Sequence, residues 1–448
     1  MLFVVKTLFD QYNPWRQPGY RFPDEIYIPR QAFDLLKNHL SAPEVTALVG
    51  ARQTGKTFLL KKLIHYLIQE QQVDPQTLFY FTCDVVDFIA LFQQQERFLN
   101  FIRRYGRPDQ INYIFLDEFQ RIPNGGLLLK ILYDLGQNWK FIISGSSSLE
   151  IKSHIREHLT GRKRLFELYP ISFREFLRYH QVDTTIPLES KVEFEASIYR
   201  DRLEEFILYG GYPGVVKAPV EEDKKLLLQE IYSSYVQKDI GDFLKIENIV
   251  GFNRLVQLLA VQTAQLCKVG ELARAVGISR YYTEHFLQAL QDTYIIKLLR
   301  GYFRNLGKSV VKTPKMYFVD TGMRNAVFQQ FAPLELRPDR GQLVENFVFS
   351  ELLKHIPENI LWFYRTRNGS EVDFLYQTDG EVIPIEVKYT LTPQTTIPRA
   401  VLSLAKQLPV KQAYVLTGDI YHRRTAEGIQ IHFWPVWAVS ELPFVAGA

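Results

Sequence analysis

Cysteine is scarce in this chain, and long apolar runs are missing. The 448 residues include two cysteines, Cys83 and Cys267, far apart and outside any CxxC motif. This excludes a disulfide framework and a cysteine-rich zinc site, and it favours buried thiols in a reducing compartment. No apolar run reaches the ~18–20 residues that a membrane-spanning helix needs, and the N-terminus lacks a signal-peptide pattern. We therefore expect a cytoplasmic protein.

The chain also lacks a strong excess of charge of either sign. The chain has 53 Lys and Arg against 49 Asp and Glu, a net charge of +4, which permits a polyanionic partner without requiring one. Hydrophobic residues make up 46% and charged residues 23%, values that are ordinary for globular proteins. At ~100–200 residues per domain, the length predicts three compact units.

The region from residue 44 to about 145 alternates short apolar runs with helix-period segments. The runs EVTALVG, TLFYFTCD, INYIFLDE and WKFIISG predict strands. Leucine and isoleucine recur at helical spacing between Thr57 and Glu70, which predicts a helix after the first strand. This alternation is typical of a parallel sheet covered by helices. We predict an N-terminal segment over residues 1–25 and an α/β domain over 26–180.

The loop between the first strand and its helix has a phosphate-binding pattern. It consists of Gly50, Ala51, Arg52, Gln53, Thr54, Gly55, Lys56 and Thr57. Glycines let backbone N–H groups wrap phosphates, a lysine neutralises them, and a hydroxyl residue holds magnesium. The following helix would direct its N-terminus at the phosphates. The sequence thus predicts an ATP site in which Lys56 is catalytic and Thr57 is a Mg²⁺ ligand.

Polar residues follow the next strands at the points where the strands end. Asp117 and Glu118 follow the third strand, and we predict that Asp117 orders Mg²⁺ while Glu118 activates water. Ser144 ends the fourth strand and is the candidate for positioning the attacking water. The alternatives are a helix cap for the acids and a serine-rich turn for Ser144.

Two arginines in the segment GRKRLF are candidates for a second catalytic cation. A P-loop ATPase generally needs an extra positive charge against the developing γ-phosphate charge. Arg162 and Arg164 are placed to supply it, and one of them is expected to reach a neighbouring subunit's ATP. A solvated or salt-bridged arginine is the alternative.

Residues 181–325 predict a helical unit that contains a winged helix. Two helix-like segments over residues 269–290 are separated by Gly277, and the β-prone YIIKLLRGYF follows them. Arg280 would lie at the start of the second helix, where side chains approach the DNA major groove. A pair of helices that packs against protein is the alternative.

Several segments resemble a prokaryotic AAA-type ATPase family whose C-terminal domain has long been labelled as of unknown function. The segments are IPR (28–30), GARQTGKT, FLDEFQRI, ISGSSS, LTGRKRLFELYPISFREFL, YGGYPGVV and YFVDTGMRNAV. The similarity extends from about residue 25 to 440, and GGYPG and YFVDTGM are its most particular motifs. The resemblance implies a P-loop ATPase core, a helical and winged-helix middle, and an α/β restriction-endonuclease-like domain of the PD-(D/E)XK type. It also implies a homo-oligomer, with a hexameric ring as one form.

The predicted C-terminal domain, residues 326–448, carries an acidic set. Glu386 and Lys388 are two residues apart on one strand and face the same side, and Asp373 on the preceding strand can lie beside them. Oxygen ligands for Mg²⁺ and a lysine are what metal-dependent phosphodiester cleavage uses. Glu345, on the preceding helix, is where the nuclease fold often draws a further metal ligand. A solvated salt bridge or a non-cutting DNA-binding module is the alternative.

Arg365 and Arg367 alternate on the strand FYRTR and are candidate phosphate contacts, although a solvated strand edge fits equally well. Together these features predict an ATP- and Mg²⁺-dependent oligomer that remodels or moves duplex or branched DNA. One alternative is an ATP-gated, metal-dependent nuclease, for example in defence. The other is an ATP-dependent protein-interaction switch whose nuclease-like domain is silent.

Overall fold

The computed structural model describes residues 2–23, 27–146, 159–236, 248–303, 313–366, 369–378, 380–390 and 395–446. The chain forms two compact units. Unit 1 comprises residues 1–169 and 292–294, and unit 2 comprises residues 170–291 and 295–448. Within the described part of the chain, every helix is too short or too polar to cross a bilayer.

Unit 1 is built on a five-stranded parallel sheet with the order β2-β3-β4-β1-β5. The strands are β1 Val45–Val49, β2 Leu78–Thr82, β3 Asn112–Asp117, β4 Trp139–Gly145 and β5 Lys163–Glu167. The first four confirm the predicted strands, and they are almost entirely buried, as parallel strands covered on both faces must be. Strand β5 was not predicted. Its sequence KRLFE is rich in charge because it forms a half-exposed edge.

Helices cover the sheet of unit 1. They are α1 Leu2–Tyr12, α2 Gln31–Asn38, α3 Lys56–Gln69, α4 Val86–Gln93, α5 Gln95–Tyr105 and α6 Gly125–Asp134, with 3-10 turns at Pro14–Arg16, Pro75–Thr77 and Phe119–Arg121. Helix α3 confirms the helix predicted after the phosphate loop, and its leucines pack into the core. Helix α1 is anchored because Asn13 donates to the Tyr80 carbonyl at 2.9 Å and accepts from the Tyr80 N–H at 2.7 Å.

The first part of unit 2 is helical, as predicted. Its helices are Phe173–Tyr179, Leu188–Ser190, the π-helix Lys191–Glu195, Ala196–Tyr209, Pro213–Lys217, Glu221–Tyr235, Ile249–Val261, Val269–Val276, Arg280–Asp292 and Thr321–Phe328. Gly277 ends the helix Val269–Val276 with φ +77°, a left-handed conformation that favours glycine. A three-stranded sheet with the order β6-β8-β7 accompanies these helices. Its strands are β6 Gln265–Leu266, β7 Ile296–Leu299 and β8 Lys315–Phe318.

A six-stranded mixed sheet forms the rest of unit 2, with the order β13-β14-β12-β11-β10-β9. Its strands are β9 Leu361–Arg365, β10 Glu371–Gln377, β11 Val382–Val387, β12 Gln412–Thr417, β13 His422–Ala426 and β14 Ile429–Pro435. Helices in this part are Arg340–His355, Arg399–Ala405 and Pro443–Ala446, with 3-10 turns at Leu334–Leu336, Glu358–Ile360 and Val436–Glu441. The predicted order of helix, three strands, helix and strand is confirmed, and β13 and β14 extend the sheet beyond it.

The segments YGGYPG and YFVDTGM lie against each other in unit 2. The Asp320 carboxylate accepts a hydrogen bond from the Gly211 N–H at 2.7 Å and also caps the helix Thr321–Phe328. Gly210 has φ +72°, and a Cβ there would lie 2.1 Å from Asp320 Oδ1. Glycine is therefore required by both the backbone conformation and the close approach of Asp320.

Candidate nucleotide site and C-terminal acidic cluster

The predicted phosphate loop curls between β1 and α3. Gly55, with φ +98°, precedes Lys56, the first residue of α3, so the loop N–H groups lie at a helix N-terminus. The Lys56 ammonium donates to the carbonyls of Gly50 at 2.9 Å and Ala51 at 2.7 Å. A Cβ on Gly50 would lie 2.2 Å from the Leu168 carbonyl oxygen, so this position requires glycine.

Buried Arg30 supports the phosphate loop from outside it. Its guanidinium donates to the Thr54 carbonyl at 3.0 Å and to the Tyr169 carbonyl at 2.6 Å. Thr54 itself donates through its hydroxyl to the Ala51 carbonyl at 2.9 Å. Sequence reasoning used Arg30 only as part of the IPR family segment, and the sequence pattern does not identify carbonyl partners that are distant along the chain.

Buried Asp117 is the centre of a hydrogen-bond group at the carboxyl ends of the strands, and Thr57 is its exposed member. Its Oδ2 atom accepts from the Thr57 hydroxyl at 2.7 Å and the Tyr80 hydroxyl at 2.7 Å, and its Oδ1 atom accepts from the Ser144 hydroxyl. Burial, together with the charge of Asp117, raises the pKa of Tyr80, so the phenol stays a neutral donor. The structure thus brings together Thr57, Asp117 and Ser144, and it adds Tyr80, which sequence reasoning missed.

Glu118 lies beside this group in a constrained conformation. Its φ of +55° is unusual for a residue with a side chain, and such backbones cluster at functional sites. Its Oε2 atom accepts from the Gln120 amide at 2.5 Å and the Ser146 hydroxyl at 3.3 Å, and its N–H donates to Ser144 Oγ at 3.4 Å. Gln120 and Ser146 were not predicted as site residues.

Arg162 and Arg164 do not join the Asp117 group within the chain. Strand β5 runs parallel to β1. The Val45 N–H donates to the Arg162 carbonyl at 2.8 Å, so Arg162 lies at the amino end of β1. At about 3.3 Å per residue, the length of β1 separates this end from the phosphate loop by roughly 15 Å. Arg162 pairs with Asp134 at 2.9 Å, and the Arg164 guanidinium lies 5.9 Å from the Phe166 ring. Action on a neighbouring subunit's ATP stays a prediction.

In unit 2 the structure brings Asp373, Glu386 and Lys388 together. The Asp373 N–H donates to Glu386 Oε2 at 3.3 Å, and the Val387 N–H donates to Asp373 Oδ2 at 2.9 Å. Lys388 Nζ lies 2.6 Å from Glu386 Oε1. These contacts join neighbouring strands β10 and β11, as the predicted hairpin requires.

Lys315, on β8, lies among these acids and was not predicted. Its Nζ is 2.8 Å from Glu345 Oε1, 2.5 Å from Glu371 Oε1 and 3.7 Å from Asp373 Oδ1. We call Glu345, Glu371, Asp373 and Glu386 the acidic cluster. The only signal in the sequence is that Lys315 and Tyr317 alternate on a strand, and the Tyr317 hydroxyl donates to Glu345 at 2.6 Å.

Burial governs the protonation of the acidic cluster. Burial, followed by the charge of Asp373, raises the pKa values of the Glu345 and Glu386 carboxyls, and burial also raises the pKa of Asp373. Burial lowers the pKa of Lys315, but the nearby carboxylates outweigh it and leave that pKa raised. Lys315 therefore stays charged while the buried acids tend to share protons.

The arrangement does not fit the predicted metal site. Among the residues that the structure describes, no three His, Cys, Asp or Glu side chains are grouped as metal ligands. The predicted ligands Glu345, Asp373 and Glu386 lie in one cluster, but the Lys315 ammonium bonds to the first and lies 3.7 Å from the second.

The candidate nucleic-acid contacts lie at separate places in unit 2. Arg280 begins its helix at the surface and pairs with Glu284 at 2.8 Å, next to Tyr281, which is 73% exposed. Arg365 ends β9 and pairs with Glu371 at 3.1 Å. Arg367 lies outside the described residues, so its predicted role stays a prediction.

Family comparisons divide the chain into three matched segments. Residues 42–177 match an AAA domain, residues 200–334 match a domain of unknown function (DUF8612), and residues 340–438 match a domain of unknown function (DUF4143). The phosphate loop, Asp117, Glu118 and Ser144 lie in the first segment. The parallel sheet and this match identify an AAA-type P-loop ATPase fold in unit 1, and neither C-terminal match names an activity.

The similar curated proteins are uncharacterized. One from Mycobacterium tuberculosis is 27% identical over 81% of this chain and 74% of its own length. One from Methanocaldococcus jannaschii is 27% identical over 78% of this chain and 75% of its own, and one from Haemophilus influenzae is 24% identical over 88% and 94%.

Solved structures give distant likenesses. The Aeropyrum pernix ORC2 protein in its ADP form has a TM-score of 0.31 and 14% identity, covering 64% of this chain and 90% of that one. Cdc6p from Pyrobaculum aerophilum has a TM-score of 0.28 and 13% identity, covering 72% and 99%. At these TM-scores neither likeness bears on function.

Proposed function

We propose that this protein is a Mg²⁺-dependent ATPase that works as an oligomer and remodels or moves duplex or branched DNA. The observation that carries the proposal is the hydrogen-bond group around Asp117, in which buried Ser144 and Tyr80 and exposed Thr57 donate to its carboxylate, directly beside a P-loop in an AAA domain match. Strand ends, helix N-terminus and acid converge there, as nucleotide hydrolysis requires.

Binding of ATP is assigned to the loop and to α3. The N–H groups of residues 50–57 would cradle the phosphates, and the Lys56 ammonium would leave the Gly50 and Ala51 carbonyls to neutralise them. Thr57 and Asp117 would hold Mg²⁺, because the Thr57 hydroxyl oxygen and Asp117 Oδ2 lie side by side at 2.7 Å. Bound Mg²⁺ would neutralise charge on the phosphate oxygens.

Hydrolysis is assigned to Glu118 and Ser144. A water oxygen attacks the γ-phosphorus, the bond to the β–γ bridging oxygen breaks, and the water's proton passes to the Glu118 carboxylate. Ser144 would orient this water from beside Glu118, since its Oγ atom accepts from the Glu118 backbone N–H at 3.4 Å. Gln120 and Ser146 hold the Glu118 carboxylate between turnovers.

The proposed oligomer would use Arg162 as its second cation. Arg162 lies at the end of the sheet where β1 begins, away from the phosphate loop, so in this role it would serve the γ-phosphate of a neighbouring copy. Its pair with Asp134 is part-exposed and therefore weak, so the guanidinium can be released on assembly.

DNA is the proposed substrate because the helix Arg280–Asp292 presents an exposed arginine and aromatic residues beside a small sheet.

Arg280→Glu should weaken duplex binding in fluorescence anisotropy by about 10-fold or more, and the loss should shrink as salt rises. Arg104→Glu, an exposed arginine of α5, is the charge-matched control. Equal loss in both variants would remove this helix from the proposal.

A protein-interaction switch with a silent C-terminal domain is the second candidate. The position of Lys315 inside the acidic cluster favours it over the ATP-gated nuclease, because the nuclease needs a metal there. ATP-dependent capture of a protein partner, with no effect of DNA on ATP turnover, would select this candidate.

A further inference from the structure

We infer that Lys315 is the resident cation of the acidic cluster and that it keeps divalent metal ions out of it. The inference concerns unit 2 alone and does not depend on ATP hydrolysis. The C-terminal domain then neutralises its acids with its own ammonium group, and the acidic cluster does not hold a metal ion for phosphodiester cleavage.

The first argument is occupancy. Lys315 Nζ lies within 2.8 Å of carboxylate oxygens of Glu345 and Glu371 and 3.7 Å from Asp373. A divalent ion needs about six oxygen ligands at about 2.0–2.6 Å, drawn largely from the same carboxylates. The ion would therefore lie within a few ångströms of the ammonium, where two like charges repel strongly in a buried site.

The second argument is that this lysine cannot leave as a surface side chain would. Its backbone is paired on both sides, with Leu266 of β6 and Leu299 of β7 as register partners. Its side chain is 3% exposed, and its ammonium lies 5.9 Å from the centroid of the Phe363 ring. An ammonium drawn out of the cluster would lose charge-assisted hydrogen bonds without reaching water.

The third argument is charge balance. The acidic cluster holds four carboxyl groups, and three cationic groups contact it: the ammonium groups of Lys315 and Lys388 and the guanidinium of Arg365. Neutral donors also contact the acidic cluster: the Tyr317 hydroxyl donates to Glu345 at 2.6 Å and the Val387 N–H donates to Asp373 at 2.9 Å. Cations and hydrogen-bond donors of the chain itself thus compensate the charge of the acidic cluster.

The test is a Mn²⁺ titration of the full chain, free of nucleotide, followed by electron paramagnetic resonance. Six proteins are compared: wild type, Lys315→Met, Lys315→Arg, Asp373→Asn, the double variant Lys315→Met with Asp373→Asn, and a control. Lys191→Met is the matched control, because Lys191 is fully buried and pairs with Glu441 at 2.6 Å away from the cluster. Any Mn²⁺ held at the nucleotide site is common to all proteins and cancels in the comparison.

We expect Lys315→Met to gain one Mn²⁺ site at the acidic cluster. Its affinity for Mn²⁺ should be roughly 10-fold or more above that of any site that wild type has and Asp373→Asn lacks. Lys315→Arg, Lys191→Met and the double variant should gain none. A wild-type site lost in Asp373→Asn would overturn the inference, as would a folded Lys315→Met protein that gains no site. If Lys315→Met does not fold even with Mn²⁺, the comparison of wild type with Asp373→Asn decides alone, and folding rescued by Mn²⁺ supports the inference.

Discussion

The hydroxyl of Thr57 donates to the carboxylate of Asp117 at 2.7 Å, and this bond joins the phosphate loop to the end of β3. The two residues are far apart in the chain, and the parallel sheet places them at one edge. Because Asp117 also accepts from Tyr80 and Ser144, its orientation is fixed before nucleotide arrives. Such preorganisation is what an electrostatic catalytic site requires.

Asp117→Asn should reduce steady-state ATP hydrolysis by about 100-fold or more, because the neutral amide can no longer hold Mg²⁺ against the phosphates. The measurement is phosphate release at saturating ATP and Mg²⁺. Asp87→Asn, an exposed acid of α4, is the matched control and should keep wild-type turnover. Comparable turnover in Asp117→Asn and wild type would contradict the assignment of Asp117.

Arg30→Lys should loosen the phosphate loop although the charge is retained. A lysine cannot reach the Thr54 and Tyr169 carbonyls together, and an unpaired buried carbonyl costs about 1–3 kcal/mol. We expect the KM for ATP to rise by roughly 10-fold and the free energy of unfolding to fall by that cost. Arg21→Lys, at an exposed position before the same segment, should change neither quantity.

Arg162→Ala should abolish hydrolysis without abolishing ATP binding, and the loss should be repaired in trans. Mixing inactive Arg162→Ala with inactive Glu118→Gln should create interfaces that carry both intact residues, restoring up to about a quarter of the wild-type rate under random pairing. Arg164→Ala in the same mixture tests the other candidate. If neither arginine variant loses activity, the second cation comes from elsewhere.

Gly210→Ala should destabilise unit 2 by about 2 kcal/mol or more. The added Cβ would meet Asp320 Oδ1 at 2.1 Å, and the backbone φ of +72° is strained for any residue but glycine. Gly214→Ala, where a Cβ would meet nothing within 4 Å, is the control and should be close to neutral. Chemical denaturation monitored by tryptophan fluorescence measures the free energy of unfolding of both variants. Equal stability of the two would contradict the close approach of Asp320 to Gly210.

Local patterns were sufficient to predict much of unit 1. Strands β1 to β4 are buried apolar runs, and α3 follows a glycine-rich loop at helical period, so period and punctuation identify them. Strand β5 was not predicted, because its sequence KRLFE is rich in charge and its strand character comes from pairing with β1. The exposed edge strand β13, HRRTA, was missed for a similar reason, because its strand character comes from pairing with β14.

The site residues divide in the same way. Thr57 follows β1 through the phosphate loop, Asp117 is the last residue of β3, and Ser144 is the last but one of β4. A parallel sheet brings the carboxyl ends of its strands together, so the association of these residues was predictable. Arg30, Tyr80 and Lys315 were missed because their partners lie far away in sequence and no spacing rule connects them. Lys315 also shows why an acidic motif does not establish a metal site: the compensating charge comes from another sheet.

The central claim is best tested by steady-state ATP hydrolysis with Mg²⁺, alone and with single-stranded, duplex and four-way-branched DNA, using Glu118→Gln as the blank. The account predicts turnover that Glu118→Gln abolishes and that duplex or branched DNA stimulates severalfold. A Glu118-dependent rate that no DNA form changes would contradict the DNA-acting role and favour the protein-interaction switch. Turnover that survives in Glu118→Gln would contradict the catalytic assignment itself.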